Sequence, residues 1–214
     1  MNPYPLVSIV IPTYTRVELL CGRAVPSCLN QTYANIEVVI VGDGSPPDIE
    51  QRVRESLPKD PRISYTNIER QDYPDNAVCA WNVRGSQAIN YGLDHAKGEC
   101  VMTVADDDEL PPDSIETLLN AAEERGVELV WGRSEIVGHG FLGDGNPRHG
   151  GQTNHALWKA DDTRMDLRCF TNRGIPNDWD LLQRLLQNHT WSFIDAVVYK
   201  YWPSEHTPPV DSTV

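Results

Sequence analysis

The sequence is short of positive charge. Eighteen lysines and arginines stand against 31 aspartates and glutamates, a net charge of −13 over 214 residues. A nucleic-acid partner needs a basic stripe, and docking on an anionic membrane needs a basic patch, so this balance argues against both. Cysteine is sparse as well. Cys21, Cys28, Cys79, Cys100 and Cys169 make five, with no Cys-x-x-Cys among them. An odd number without that spacing indicates neither a disulfide framework nor a zinc site. No apolar run approaches the ~18 residues that span a bilayer, so no transmembrane segment is expected. Met1 to Pro5 lacks a basic segment followed by a long apolar one. No signal peptide is read there, and a cytoplasmic location is expected. Two hundred and fourteen residues, 40% of them hydrophobic, are enough for one domain with a sizeable core.

Negative charge, by contrast, is concentrated. Val101-Met102-Thr103-Val104-Ala105 runs into Asp106-Asp107-Asp108-Glu109, then Leu110-Pro111-Pro112. The apolar run reads as a buried strand, too short for a helix and bounded by Gly98 and Pro111. Four adjacent carboxylates repel one another unless something compensates them. A hard divalent cation such as Mg²⁺ or Mn²⁺ does so, and it leaves positions for substrate phosphates. A solvated acidic turn at the N-terminus of the next helix is the alternative.

The rest of the chain alternates strand and helix. Leu6–Ile11, Ile36–Val41, Ile63–Tyr65 and Val127–Gly132 read as strands. Glu18–Asn30, with Pro26 as a kink or break, Asp48–Leu57, Arg84–Ala96 and Pro112–Arg125 read as helices. That alternation predicts a single α/β domain with a mostly parallel central sheet and helices on both faces. Glu69–Val83 reads as a long polar loop. The stretch from Gly138 to Gly151 holds six glycines and two histidines and reads as a glycine-rich loop, and the histidines and glycines from 138 to 155 are expected to line an acceptor site, form a lid, or simply be mobile. Asp178–Gln187 reads as a short helix, and 191–194 and 196–199 as closing strands.

In open α/β sheets, ligands bind at the carboxyl ends of strands. Pro12-Thr13-Tyr14 follows the first strand and Asp43-Gly44-Ser45 the second, on the same edge as the aspartates. A Tyr ring can stack on a base, and a buried Asp can accept from a base N–H. The same residues are also common turn formers. A dinucleotide fingerprint fails, because Pro47 stands where its third glycine belongs.

Taken together, Val7-Ser8-Ile9-Val10-Ile11-Pro12-Thr13-Tyr14, Ser27-Cys28-Leu29-Asn30-Gln31-Thr32-Tyr33 and Glu37-Val38-Val39-Ile40-Val41-Gly42-Asp43-Gly44-Ser45 resemble the opening of a family 2 glycosyltransferase with the GT-A fold. Ala96-Lys97-Gly98-Glu99 continues the match, and Asn177-Asp178-Trp179-Asp180-Leu181 is similar to the family's later Glu-Asp-Trp-Asp-Leu stretch. The resemblance runs from residue 5 to about residue 185. It implies one GT-A domain, a Rossmann-like nucleotide-diphospho-sugar transferase over 1–214. In that domain 1–110 binds the nucleotide sugar and 111–214 forms the acceptor side. It further implies inverting transfer of a sugar from a nucleotide donor, often UDP-linked, to a hydroxyl of a glycan or other acceptor. Pro12, Thr13, Tyr14 and Asp43 would hold the nucleotide. Asp106 and Asp107 would lie on the diphosphate, and Mn²⁺ or Mg²⁺ would sit on Asp106 and Asp108. Asp178 would be the base, although an Asp there is also a good N-cap for a helix beginning at Trp179, and His206 stands where some GT-A enzymes place a third metal ligand.

Three departures stand out. Ala105 occupies the first place of the usual Asp-x-Asp-Asp pattern. Ala88-Ile89-Asn90 stands for Ala-Arg-Asn, with Arg84 as the substitute phosphate contact, and Asn177 replaces a Glu. Two rival readings exist. A nucleotidyltransferase would want a glycine-rich basic loop after the first strand, and an aspartate-nucleophile phosphatase an Asp-x-Asp there; Pro12-Thr13-Tyr14 is neither. A non-catalytic sugar-nucleotide or glycan-binding module on the same fold is the other.

Overall fold

The computed structural model describes residues 4–70, 72–146 and 153–203. Three strands, β1 (Val7–Thr13), β2 (Ile36–Asp43) and β3 (Ile63–Ile68), pair in parallel in the order β3-β2-β1. β4 (Cys100–Thr103) joins the other side of β1, also in parallel. β1 and β2 are apolar nearly throughout because both faces of the sheet are covered. Their side chains alternate between two cores. Val7, Ile9 and Ile11 of β1 and Val38 and Ile40 of β2 face one; Val10, Val39 and Val41 face the other.

Helices fill both layers. On the first face lies a continuous helical run of α1 (Val17–Leu19), a π-helical stretch (Leu20–Ala24) and α2 (Val25–Leu29). Pro26 falls in the first turn of α2, directly after the π-helical stretch, and the helical run continues through it. α3 (Pro47–Ser56) contributes Val53 to the same core. After β3 the chain forms α4 (Ala77–Val83), inside the stretch expected to be loop, capped by the Asn76 side chain. α5 (Ser86–His95) covers the second face with Ala88, Ile89 and Leu93. It lies close on the sheet: a Cβ at Gly92 would meet Val10 Cγ1 at 2.3 Å. α6 (Ser114–Arg125) returns to the first face through Ile115, Leu118 and Ala122.

The second half differs from the expected pattern. β5 (Leu129–Ile136) does not pair with β4. A short β6 (Gly140–Leu142) pairs with the end of β5, and β7 (Ala156–Lys159) runs antiparallel between β4 and β5. So the Gly-rich stretch, expected to lack structure, begins as a β-hairpin and leads into the sheet; 147–152 lie outside the described residues. After β7 come α6's successors α7 (Cys169–Arg173) and α8 (Asn177–Asn188). The two expected closing strands are one, β8 (Trp191–Tyr201), parallel to β5 with a register irregularity. The result is a single α/β domain whose sheet is mostly parallel and sandwiched between helices. Among the described residues no helix is long and apolar enough to cross a membrane.

Candidate active site

A cleft of about 700 Å³ opens at the carboxyl ends of β1, β2 and β4. Pro12, Thr13, Tyr14, Asp43, Arg84, Asp106, Asp107, Asp108 and Asp178 all line it. Residues from five separate stretches therefore meet at one sheet edge. His206 lies outside the described residues.

The loop after β4 turns three carboxylates inward, and each is almost wholly buried. Asp106 accepts from Thr13 Oγ1 at 2.8 Å and from Arg16 Nη1 at 3.1 Å. The same guanidinium reaches Asp107 Oδ2 at 2.8 Å. Asp108 accepts from the Tyr199 hydroxyl at 2.7 Å and from the Trp202 backbone N–H at 2.8 Å. The loop is fixed from outside by two backbone bonds between Glu109 and Lys200, and by Arg23 Nη1 on the Asp107 carbonyl at 2.7 Å.

One guanidinium against three carboxylates leaves the cluster over-charged. Burial, reinforced by the neighbouring Asp107 charge, pushes Asp108 up to about 7, and burial raises Asp106 too. Burial works against the Arg16 charge, yet Asp107 and Asp106 hold that guanidinium above its ordinary range. Burial pushes the Tyr199 phenol well up, helped by Asp108, so it remains a donor. Excess negative charge on hard oxygen donors fits a divalent cation. Among the described residues no three His, Cys, Asp or Glu side chains form a cage for a metal. An ion held here by one or two carboxylates would need substrate phosphates to complete its ligands.

At the other end of the cleft, Asp43 is buried at the end of β2. Its Oδ2 accepts from the Tyr73 hydroxyl at 2.5 Å, and its Oδ1 has no hydrogen-bond partner. The Tyr73 oxygen accepts in turn from the Gly85 N–H at 3.0 Å. Arg70 lies 4.4 Å over the Tyr14 ring. Gly44 permits this approach: at φ +70° it holds a left-handed turn, and a Cβ there would strike Arg70 Cβ at 2.2 Å. Asn67 braces the turn, pairing both ways with the Ser45 backbone at 2.9 Å.

Asp178 enters from the first turn of α8. It is not the N-cap, a position held by Pro176. Asn177 anchors this helix start, donating to Ser86 Oγ at 2.8 Å and to the Arg84 carbonyl at 3.2 Å. Burial pushes the Asp178 carboxyl up to about 6, against the pull of the Trp179 N–H at 2.7 Å. Arg84 stacks on Trp81 at 3.4 Å, and burial, with the Arg16 charge nearby, lowers its affinity for its proton. Asp180 does not line the cleft; it is buried between Arg173 and Arg184, the latter at 2.9 Å.

Several residues of the site went unread in the sequence. Arg16 carried a signal, being the first cation after Thr13-Tyr14. Arg70, Tyr73 and Trp81 come from the stretch after β3, where only loop length hinted at function. Tyr199 comes from a strand that reads as merely structural, and Trp202 follows that strand directly.

The chain matches the model of glycosyl transferase family 2 over residues 8–182. It is 33% identical over 138 residues to a GalNAc(5)-diNAcBac-PP-undecaprenol beta-1,3-glucosyltransferase of Campylobacter jejuni, a match covering 64% of this chain and 41% of that one. It spans less than half the length of this relative. Among solved structures it is similar to S. aureus TarS 1-349 in complex with UDP, with TM-score 0.69, 16% identity, and coverage of 92% of this chain and 60% of the other. It is also similar to the mannosyltransferase PcManGT from Pyrobaculum calidifontis in complex with GDP-Man and Mn²⁺, with TM-score 0.64, 18% identity, and coverage of 97% and 59%.

Proposed function

The chain belongs to glycosyl transferase family 2, and on that premise we propose that it transfers a sugar from a UDP-linked donor to an acceptor hydroxyl with inversion. The observation that carries this is the meeting of Thr13, Tyr14, Asp43, Asp106 to Asp108 and Asp178 in one cleft.

Each part has a task. Asp43 serves to accept the uracil N3–H, and the Tyr14 ring offers a face to the base. Asp106 and Asp108, with Asp107 beside them, would hold Mn²⁺ or Mg²⁺ at the diphosphate end of the cleft. When bound, that ion neutralises the diphosphate and stabilises the charge that grows on the departing oxygen. Arg84 and Arg16 add fixed positive charge at the same end of the cleft. Asp178 takes the proton of the acceptor hydroxyl as it attacks the anomeric carbon from the face opposite the diphosphate. The anomeric centre passes through an oxocarbenium-like state, as in glycoside hydrolysis. A carboxyl held near 6 is ionised at neutral pH, yet more basic than an ordinary aspartate. Residues 1–110 serve the donor, and 111–214, which include Asp178, serve the acceptor side.

The test is turnover of a panel of UDP-, GDP- and other nucleotide sugars with and without Mn²⁺, scoring nucleoside diphosphate release and the anomeric configuration of any product. Release from UDP-sugars that needs the ion and yields inverted product supports the reading. No release from any donor, with or without acceptor glycans, removes it.

A further inference from the structure

Arg16 bridges two carboxylates of the acidic loop through one nitrogen. Its Nη1 donates to Asp106 Oδ1 at 3.1 Å and lies 2.8 Å from Asp107 Oδ2. The second Asp106 oxygen accepts from the Thr13 hydroxyl at 2.8 Å, and the two Asp108 oxygens accept from Tyr199 and from the Trp202 N–H. Of these donors Arg16 alone carries a charge. Its contact is also reachable: Arg16, Asp106 and Asp107 all line the cleft, and the Arg16 side chain keeps 22% exposure against 9% and 11% for the two carboxylates.

A second cation is opposed there. An ion on Asp106 or Asp107 would share an oxygen with the guanidinium, and two positive charges that close repel each other. The guanidinium must then turn away, and the cleft offers it poor company. Arg84 lines the same cleft, and after burial the Arg16 charge is the next cause that lowers its affinity for its proton, so the two guanidiniums already feel one another. A nucleoside diphosphate changes this, because phosphate oxygens suit the guanidinium fork.

We propose that Arg16 couples metal binding to nucleotide binding: it holds the Asp106 and Asp107 carboxylates until a divalent ion and a nucleoside diphosphate bind together, and its head then passes from the carboxylates to the diphosphate. The proposal rests on the nucleotide-sugar reading above and deepens it. The positive charge stays at the same end of the cleft throughout, and only its partner changes. Burial works against that charge, yet Asp107 and Asp106 hold the guanidinium above its ordinary range, so it competes with the ion at any working pH. Mn²⁺ alone is therefore weak because it must displace Arg16, not because the carboxylates are poor ligands. Such coupling is reciprocal: the factor by which Mn²⁺ tightens UDP equals the factor by which UDP tightens Mn²⁺.

The experiment measures Mn²⁺ by the paramagnetic resonance of the free ion and UDP by calorimetry, each alone and with the other, at pH 8. The proteins are the full chain, Arg16→Met, Arg16→Gln and Arg84→Met. Wild type should bind Mn²⁺ weakly alone and much more tightly with UDP. In Arg16→Met, Mn²⁺ alone should bind about 10-fold or more tighter, since its charged competitor is gone. The coupling factor should fall by about 10-fold or more. Arg16→Gln keeps a hydrogen-bond donor without the charge and should shift both quantities the same way, which serves should Arg16→Met fold poorly. A merely structural Arg16 predicts Mn²⁺ binding unchanged or weaker with the coupling factor intact, and that result overturns the proposal. Arg84→Met removes charge from the same cleft without touching the carboxylate contact, so it should weaken UDP and strengthen Mn²⁺ alone less than Arg16→Met does. An equal or larger gain in Arg84→Met counts against the proposal. Folded wild type that binds neither Mn²⁺ nor UDP, alone or together, removes the nucleotide-sugar reading itself, a result distinct from an unchanged coupling factor.

Discussion

Tyr199 spans the acidic loop: its hydroxyl donates to Asp108 Oδ2 at 2.7 Å and accepts from the Ala105 N–H at 3.1 Å. One side chain from the last described strand thereby fixes both ends of the Ala105–Asp108 turn. Removing the hydroxyl in Tyr199→Phe leaves a buried carboxylate oxygen and a backbone N–H unpaired. The expected cost is about 1–3 kcal/mol of stability, read by denaturant unfolding. Mn²⁺-dependent UDP binding should weaken along with it, because Asp108 loses its fixed orientation. Unchanged unfolding and unchanged binding would show that the contact holds nothing in place.

The carboxylate itself makes a sharper test. Asp108→Asn retains the shape and accepts from one of the two donors, but carries no charge for a cation. UDP affinity in wild type should rise steeply with Mn²⁺, while affinity for Mn²⁺ alone stays weak, as expected of an ion held by one or two carboxylates and a diphosphate. In Asp108→Asn the response of UDP binding to Mn²⁺ should largely disappear. A variant whose UDP titration responds to Mn²⁺ as wild type does would take Asp108 out of the metal site.

Arg16 offers the converse change. Its guanidinium is the ion that Asp106 and Asp107 both contact, at 3.1 and 2.8 Å. Arg16→Met keeps the stem and deletes the charge, so carboxylates that repel one another are left partly unpaired. The protein should lose about 1–3 kcal/mol of stability in chelator, a figure discounted because the pair is not fully shielded from water. Added Mn²⁺ should restore part of that loss, since an ion that binds only the folded state stabilises it. Equal melting in chelator and in Mn²⁺ would mean that Arg16 does not stand in for a cation.

What the sequence revealed and what it hid follow a physical division. β1, β2 and β4 were legible because strands buried on both faces are continuous apolar runs. α6 and α8 were legible because their apolar residues recur at helical spacing. β7 was not: four residues, Ala156 to Lys159, carry too little pattern, and nothing local shows that they insert between β4 and β5. The same split holds in the cleft. Asp43, Asp106 to Asp108 and Asp178 carry chemistry in their residue type and in a family pattern. Tyr73 and Tyr199 do their work through contacts 30 and 91 residues away, and such pairings exist only once the chain is folded. Asp178 read as a possible helix cap for the same reason. The true start of α8 was set by Pro176 and by Asn177 reaching to Ser86, which no local pattern indicates.

Asp178 and Asp180 lie two residues apart on α8, and their conservative variants should have opposite consequences. Asp178 is pushed up to about 6 by burial, above the unfolded value of 3.8. A carboxyl raised on folding binds its proton more tightly in the folded state. Its ionisation therefore costs stability as pH rises from about 4 through 6, and the full cost remains above 6. Asp178→Asn abolishes that cost. It should be more stable than wild type by about 1–2 kcal/mol at pH 8 and no more stable below pH 4. Its transfer rate should nonetheless fall by roughly 10²–10⁴-fold, the usual worth of a positioned base. In wild type, kcat/KM should drop as pH falls through about 6, with that limb absent from the residual activity of the variant. Asp180 is buried against Arg173 and Arg184 and does not face the cleft. Asp180→Asn strands two guanidinium partners and should cost about 1–3 kcal/mol of stability, while the folded fraction transfers at close to the wild-type rate. Unfolding curves at pH 4 and pH 8, run beside rate measurements on folded protein, separate the two. If Asp178→Asn is destabilised at pH 8 or transfers normally, or if Asp180→Asn is the variant that folds well and fails to transfer, the base has been assigned to the wrong carboxylate.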